Sequence, residues 1–264
     1  MALTIALVNQ KGGVGKTTTA VNLAAYLSAA GKRVLLVDMD PQGNASAGVG
    51  VRVATGENHI YQVLLEPTRV TDIVRPTNLE RLHILPAHSD LAGAAIELVG
   101  LEAREYRLSQ ALEKLSDQYD IILIDCPPSL GLLTINGLTA ADQVLIPIQA
   151  EYYALEGLGQ LINTINLIQN HLKPSLGILG ALVTMYDPRN RLAKAVVNEL
   201  KQHFPNKVFQ TMIPRNVRLA EAPSYGQPIM LYDHGSRGAE AYQAFARELI
   251  SYLENKSRYI STGY

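Results

Sequence analysis

Ten residues near the start leave this chain little choice of architecture: Asn9-Gln10-Lys11-Gly12-Gly13-Val14-Gly15-Lys16-Thr17-Thr18. An apolar run over residues 3–8 leads into them, and a helical pattern beginning near Lys16 leads out. Strand, glycine-rich turn, lysine, hydroxyl and helix together make the layout of a phosphate-binding loop. Glycines let backbone N–H groups converge on phosphate oxygens without side chains in the way. Lys16 places a positive charge near the β- and γ-phosphates. Thr17 offers a hydroxyl to Mg²⁺, which prefers oxygen ligands, and the helix N-terminus adds partial positive charge. The match has one fault. The usual pattern wants glycine where this chain has Gln10, and it carries a second lysine, Lys11, that one nucleotide bound by one chain does not need.

The chain has 264 residues, with 47% hydrophobic and 18% charged. That suits one α/β domain over residues 1–264, with a polar tail from about 256 to 264. No apolar stretch is long enough to cross a bilayer, and no signal peptide is expected before the first strand. Cytoplasmic placement is the expectation. The single cysteine, Cys126, cannot form an internal disulfide or hold a cluster by itself. The formal net charge of −1 rules out global basicity, so any DNA binding must use a local patch.

Strand and helix patterns alternate along the chain. Strands are expected over residues 3–8, 33–37, 81–85, 119–125, 143–148, 176–185 and 208–213. Helices are expected over 16–30, 59–66, 91–101, 106–118, 154–172, 192–204 and 238–255. Alternation of this kind predicts a mostly parallel, twisted sheet covered by helices on both faces, the α/β architecture of a P-loop NTPase.

Two strand ends carry acids. The 33–37 run closes in Asp38-Met39-Asp40-Pro41-Gln42-Gly43-Asn44. Acids at the carboxyl end of a strand lie where an open α/β sheet places its site, although a turn can also use such residues to cap a helix. The second run, Ile121-Ile122-Leu123-Ile124, feeds directly into Asp125-Cys126-Pro127-Pro128. A continuous apolar run is the mark of a buried parallel strand, and an acid at its end can approach Mg²⁺ through water. Cys126 reads as packing. His83 and His88 read as ordinary polar positions, because no acid–histidine spacing resembles a metal site.

By this point a family is visible. Lys11-Gly12-Gly13-Val14-Gly15-Lys16-Thr17-Thr18 resembles the deviant Walker A motif of the ParA/MinD family. Asp38 to Asn44 resembles that family's second acidic motif, and Ile122 to Pro128 its Walker B. Three further stretches resemble the chromosomal ParA, or Soj, branch: Ile213-Pro214-Arg215-Asn216-Val217-Arg218-Leu219-Ala220-Glu221-Ala222-Pro223-Ser224, Gln149 through Gly157, and Ser236-Arg237-Gly238-Ala239-Glu240.

The resemblance implies a DNA-partitioning ATPase that uses ATP and Mg²⁺. Its ATP-bound homodimer would hold two nucleotides in the interface and bind double-stranded DNA without sequence preference. A ParB-type centromere-binding partner would stimulate hydrolysis and release the dimer, giving a cytoplasmic, nucleoid-associated protein. The family places Lys11 across the dimer interface, on the phosphates of the other subunit's ATP, with Gly12 where the two loops meet. Lys16 would bind ATP and stabilise transition-state charge, so Lys11, Lys16 and Asp40 are the expected catalytic residues. Asp40 matches the water-positioning acid. Gly13, Val14 and Gly15 complete the loop, Thr18 reaches the α-phosphate, and Thr17 ligates Mg²⁺ with Asp125 behind it through water. Pro214, Arg215 and Asn216 match the adenine segment. Arg189 and Arg218 match DNA-contacting arginines of the branch, and Arg191, Lys194 and Arg237 could widen that patch.

Other readings fare less well. A MinD-like membrane-associated regulator should end in a basic amphipathic helix, and the residues from Lys256 to Tyr264 show no sustained apolar face; no stable membrane binding is expected. An electron carrier of the nitrogenase-reductase type needs paired cysteines. A repressor-type plasmid ParA needs a helix-turn-helix ahead of the first strand, which is not expected here. A ParA-like ATPase that positions some other cargo stays open.

Overall fold

The computed structural model describes residues 2–151 and 154–261, with only the backbone of 95 and of 256–261. Seven strands form one sheet in the order β3-β4-β2-β5-β1-β6-β7. They are β1 (Leu3–Leu7), β2 (Val34–Asp38), β3 (Arg75–Pro76), β4 (Leu82–Leu85), β5 (Ile121–Asp125), β6 (Gln143–Gln149) and β7 (Gly177–Thr184). All neighbouring pairs are parallel except β3 with β4. The central strands β2 and β5 are buried along their whole length, which is why their sequences are unbroken apolar runs.

The helices are α1 (Lys16–Ala29), α2 (Asn44–Gly48), α3 (Ile60–Leu65), α4 (Val70–Ile73), α5 (Ala94–Glu97), α6 (Arg107–Glu113), α7 (Leu132–Ala140), α8 (Ala154–His171), α9 (Arg191–His203), α10 (Val217–Glu221), α11 (Ile229–Tyr232) and α12 (Arg237–Ser261). They cover both faces. One core cluster joins Val37 and Ile124 to residues of α3, α6, α7, α8 and α9; the other joins Leu36 and Leu123 to α1 and α12. A helix layer on each side of a parallel sheet is the arrangement the alternating sequence predicts.

Three expectations need correction. Residues 91–101 are not one helix. They break into a 3-10 turn at Ser89–Gly93, the short α5, and a 3-10 turn at Leu98–Gly100. Gly93 and Gly100 interrupt the pattern, and the apolar residues do not keep one face: Leu98 is buried while Ile96 and Val99 are exposed.

Residues 208–213 do not form a strand. They run beside β7, and their backbone is joined to it by isolated bridges and single hydrogen bonds, such as Phe209 N–H to the Ala181 carbonyl (3.0 Å) and Ile213 N–H to the Val183 carbonyl (2.9 Å). Between those points the N–H groups of Gln210 and Thr211 donate to the Glu248 carboxylate of α12, at 2.7 and 2.9 Å. A side chain has taken the donors that a ladder would need.

The expected polar tail is helical backbone as far as Ser261, a continuation of α12; residues 262–264 lie outside the described residues. So do Tyr152 and Tyr153 of the stretch from Gln149 to Gly157. Helix α7 was not anticipated at all.

Candidate functional site

The C-terminal ends of β1, β2 and β5 lie side by side, with Asp38 paired in register with Asp125 and Leu7 with Asp125. The loop after β1 therefore sits directly over two strand-end acids, in the crevice where open α/β sheets bind ligands.

The loop is built by left-handed glycines and by tethers to its neighbours. Gly13 and Gly15 have φ of 73° and 87°, and Gly15 caps the N-terminus of α1. Thr184 Oγ1, at the end of β7, donates to the Val14 carbonyl (2.8 Å). Asn9 Nδ2 donates to the Pro147 carbonyl (2.8 Å), and Asn9 Oδ1 accepts from Lys11 N–H (3.0 Å). Gly12 is different. Its φ is not positive, and a Cβ there would meet nothing within 4 Å among the described residues. No contact among the described residues requires glycine at that position.

Lys16 is buried, and its Nζ donates back to the Lys11 carbonyl (3.2 Å). Burial pushes its pKa below the ordinary value, while the nearby Asp125, Cys126 and Asp40 pull it back up. A desolvated ammonium at the mouth of an amide-lined loop is poised to take an anion. Thr17 Oγ1 donates to Asp125 Oδ2 (2.7 Å). The other oxygen, Asp125 Oδ1, is buried without a hydrogen-bond partner among the described residues. Burial, followed by the neighbouring Asp38, raises the Asp125 pKa well above the usual carboxylate range. A hydroxyl and an unsatisfied carboxylate facing each other fit a hard divalent cation such as Mg²⁺.

Asp38 is fully buried and organises the neighbouring turn. Its Oδ2 accepts from Ser46 N–H (2.8 Å) and Ser46 Oγ (2.7 Å), and its Oδ1 accepts from Asp40 N–H (3.2 Å). Burial raises its pKa to about 6. Asp40 itself is partly exposed at the rim, with Oδ1 accepting from Gln42 N–H (3.0 Å). Cys126 is buried and its thiol pKa is pushed up by burial, consistent with packing rather than reactivity.

Beside the loop lies a cleft of about 340 Å³. Pro214, Arg215 and Asn216 line one wall, and Gly15 and Thr18 line its border with the phosphate loop. Thr184, Met185 and Tyr242 also line it; sequence reasoning missed all three. Met185 adopts a left-handed φ of 49°, and Tyr186 and Arg215 N–H groups bond across to the 213–215 segment or back from it at 2.9 and 3.4 Å. The Tyr242 hydroxyl lies 3.0 Å from Thr19 Oγ1. A partly apolar cleft abutting a phosphate loop can take a planar base.

The Lys11 side chain is engaged with a residue of its own chain, Glu151. Its Nζ is 2.5 Å from Glu151 Oε2, and both side chains are about half exposed (48% and 47%). Arg189 and Arg218 each pair with acids other than Asp38, Asp40 and Asp125. Arg189 sits after β7 and pairs with Asp187 (2.9 Å), with 89% of its side chain exposed. Arg218, in α10, pairs with Glu221 (2.9 Å) and Asp233 (3.4 Å).

The family model described as "AAA domain" matches residues 2–178. The sporulation initiation inhibitor protein Soj of Bacillus subtilis is 57% identical over 251 residues, covering 95% of this chain and 99% of its own length. The chromosome-partitioning ATPase Soj of Treponema pallidum is 51% identical over 251 residues, covering 95% and 98%. Among solved structures, a cobyrinic acid a,c-diamide synthase of Mycobacterium smegmatis with bound ADP and magnesium superposes with a TM-score of 0.84 at 39% identity, covering 96% of each chain.

Proposed function

The chain belongs to the ParA/MinD family of deviant Walker A ATPases, in its chromosomal Soj branch, and from that membership we propose that it is a partition switch whose ATP-bound dimer holds DNA. It is an ATPase that uses ATP and magnesium. In this reading residues 1–264 act as one domain.

The residue roles follow from the chemistry of the site. Backbone N–H groups of Gly12 to Gly15, with Thr18, would cradle the phosphates, and Pro214, Arg215 and Asn216 would bound the base. Thr17 and Asp125 would hold Mg²⁺, the latter through water. When bound, Mg²⁺ supplies positive charge that neutralises the β- and γ-phosphate oxygens. Lys16 would hold a cationic donor against the same oxygens. Asp40, tied to Asp38 through its own N–H, would position the attacking water and accept its proton.

The observation that carries the dimer is the pair Lys11 and Gly12. Lys11 is a half-exposed cation on the loop's outer side. Gly12 is a glycine that no contact among the described residues requires. Both make sense if a second copy approaches here, with Lys11 supplied in trans to the partner's nucleotide. DNA would then bind through Arg189 and Arg218 of both copies, doubling a patch that one near-neutral chain presents only weakly. A ParB-type partner would trigger hydrolysis and release, and the protein would cycle between cytoplasm and nucleoid.

ATP turnover measured with and without DNA and partner, beside an Asp40→Ala control, tests the whole reading. Stimulation by both together supports it. Turnover indifferent to DNA and partner would favour a relative that positions another cargo.

A further inference from the structure

Apart from the nucleotide site, the described residues contain one group of metal-ligating side chains, His59, His88 and Asp90. They come from two segments of the chain. His59 precedes α3, His88 follows β4, and Asp90 lies in the 3-10 turn after it. One ligand atom from each lies within 4.8 Å of the others. The two imidazoles are tilted at 58° with centroids 5.4 Å apart, and His88 Nδ1 is 3.2 Å from Asp90 Oδ2. His59 is buried, His88 is half-buried and Asp90 is exposed. The deep ligand is thus fixed by packing, while the outer one is free to adjust. His88 also lines an open cavity of about 460 Å³ with Gln42 and Arg52, which gives a path from solvent.

We propose that His59, His88 and Asp90 form a site for a divalent transition metal ion of the zinc class, with water completing the coordination. Two imidazoles and one carboxylate are a donor set for zinc, cobalt(II) or nickel, whereas Mg²⁺ takes oxygen ligands. Ligand atoms around tetrahedral zinc lie roughly 3.3 Å apart, from metal–ligand distances near 2 Å. With the three ligand atoms within 4.8 Å of one another and the His88–Asp90 pair already at 3.2 Å, side-chain adjustments of about 1.5 Å or less bring them onto one ion.

Occupancy displaces something. His59 Nδ1 accepts from Tyr61 N–H and His88 Nδ1 from Asp90 N–H, each at 3.4 Å. A metal on Nδ1 replaces these bonds, and a metal on Nε2 requires the proton to move to Nδ1. At 3.4 Å both are long for hydrogen bonds, so little is lost.

The location gives the site a consequence. Ala87 N–H donates to Ser46 Oγ (3.0 Å), and Ser46 donates to Asp38, which holds the turn bearing Asp40. A metal here pins residues 87–90 to the start of α3 and braces that turn.

The test uses the full chain without nucleotide, in excess Mg²⁺, titrated with Co²⁺ and then Zn²⁺. The site predicts the visible absorption of tetrahedral cobalt, its displacement by zinc, one zinc per chain by calorimetry and a higher melting temperature with zinc. Asp90→Asn should weaken binding at least about tenfold. His88→Asn keeps a capping oxygen and should abolish the cobalt spectrum, with its fold checked by circular dichroism. No zinc binding, or equal affinity in wild type and both variants, overturns the site. Either result leaves the ATP reading untouched, because no nucleotide is present.

Discussion

Within one chain, Lys11 Nζ lies 2.5 Å from Glu151 Oε2. The loop's extra lysine is therefore parked on its own subunit. With both side chains about half exposed, such a pair contributes only ~0–1 kcal/mol, so a nucleotide phosphate offered by a second copy can outcompete it. Lys11→Ala should keep monomeric ATP binding and lose the ATP-dependent dimer. Light scattering of the variant with ATP measures this; a dimer as stable as the wild type's would remove the role assigned to Lys11.

Glu151→Gln tests the same contact from the other side. It frees Lys11 without touching the loop, so the nucleotide dependence of dimerisation should shift to lower ATP concentration by up to about fivefold, the equivalent of ~1 kcal/mol. Sedimentation at graded ATP reads the shift.

Asp40→Ala removes the partly exposed carboxylate at the rim while leaving Asp38 and Asp125 in place. The variant should bind ATP and dimerise yet turn over at least about a hundredfold more slowly, as expected for loss of a water-positioning base. It should also stay on DNA. Phosphate release and DNA retention, measured together, decide the matter, and normal turnover would exclude Asp40.

Asp38 makes stability depend on pH. Its folded pKa of about 6 stands above the ordinary 3.8. Between those values the folded state holds a proton that the unfolded state has released, so stability falls as pH rises through that window. Two pKa units correspond to about 3 kcal/mol. Asp38→Asn should flatten this slope in Mg²⁺-free protein while costing stability elsewhere through Ser46. Denaturant midpoints at a series of pH values read the slope; an unchanged slope in the variant would assign it to another group.

Much of this was legible in the sequence because it is local. A phosphate loop and a strand-end acid each occupy a few consecutive residues, and their chemistry follows from order alone. Helix α7 was invisible for the opposite reason. Its sequence, Leu132 to Ala140, includes threonines, an asparagine and a glycine, all poor helix formers, and nearly every residue is buried, so no amphipathic stripe appears. Its Asn136 is satisfied by Leu108 N–H and the Arg104 carbonyl, contacts that only the tertiary fold supplies. The base cleft was half legible. Residues 214–216 carried a motif, whereas Tyr242 looked like any core position of a late helix. His59 and His88 were passed over because their meeting depends on β2, β4 and α3 packing together.

Arg189 and Arg218 are each paired with acids in the free chain. Phosphate contacts must compete with those pairs. Arg189→Glu and Arg218→Glu should each weaken DNA binding about uniformly across sequences and reduce the salt dependence by roughly one unit per arginine per copy. Filter binding over a salt series measures the slope, and an unchanged slope would place the DNA surface elsewhere.

The most direct measurement of the central claim is DNA affinity of the wild-type chain without nucleotide, with ADP, and with a non-hydrolysable ATP analogue, beside Lys11→Ala. Nucleotide sharing through Lys11 predicts strong, sequence-indifferent binding only in the analogue state of the wild type. Equal binding without nucleotide, or full binding by Lys11→Ala, would contradict it.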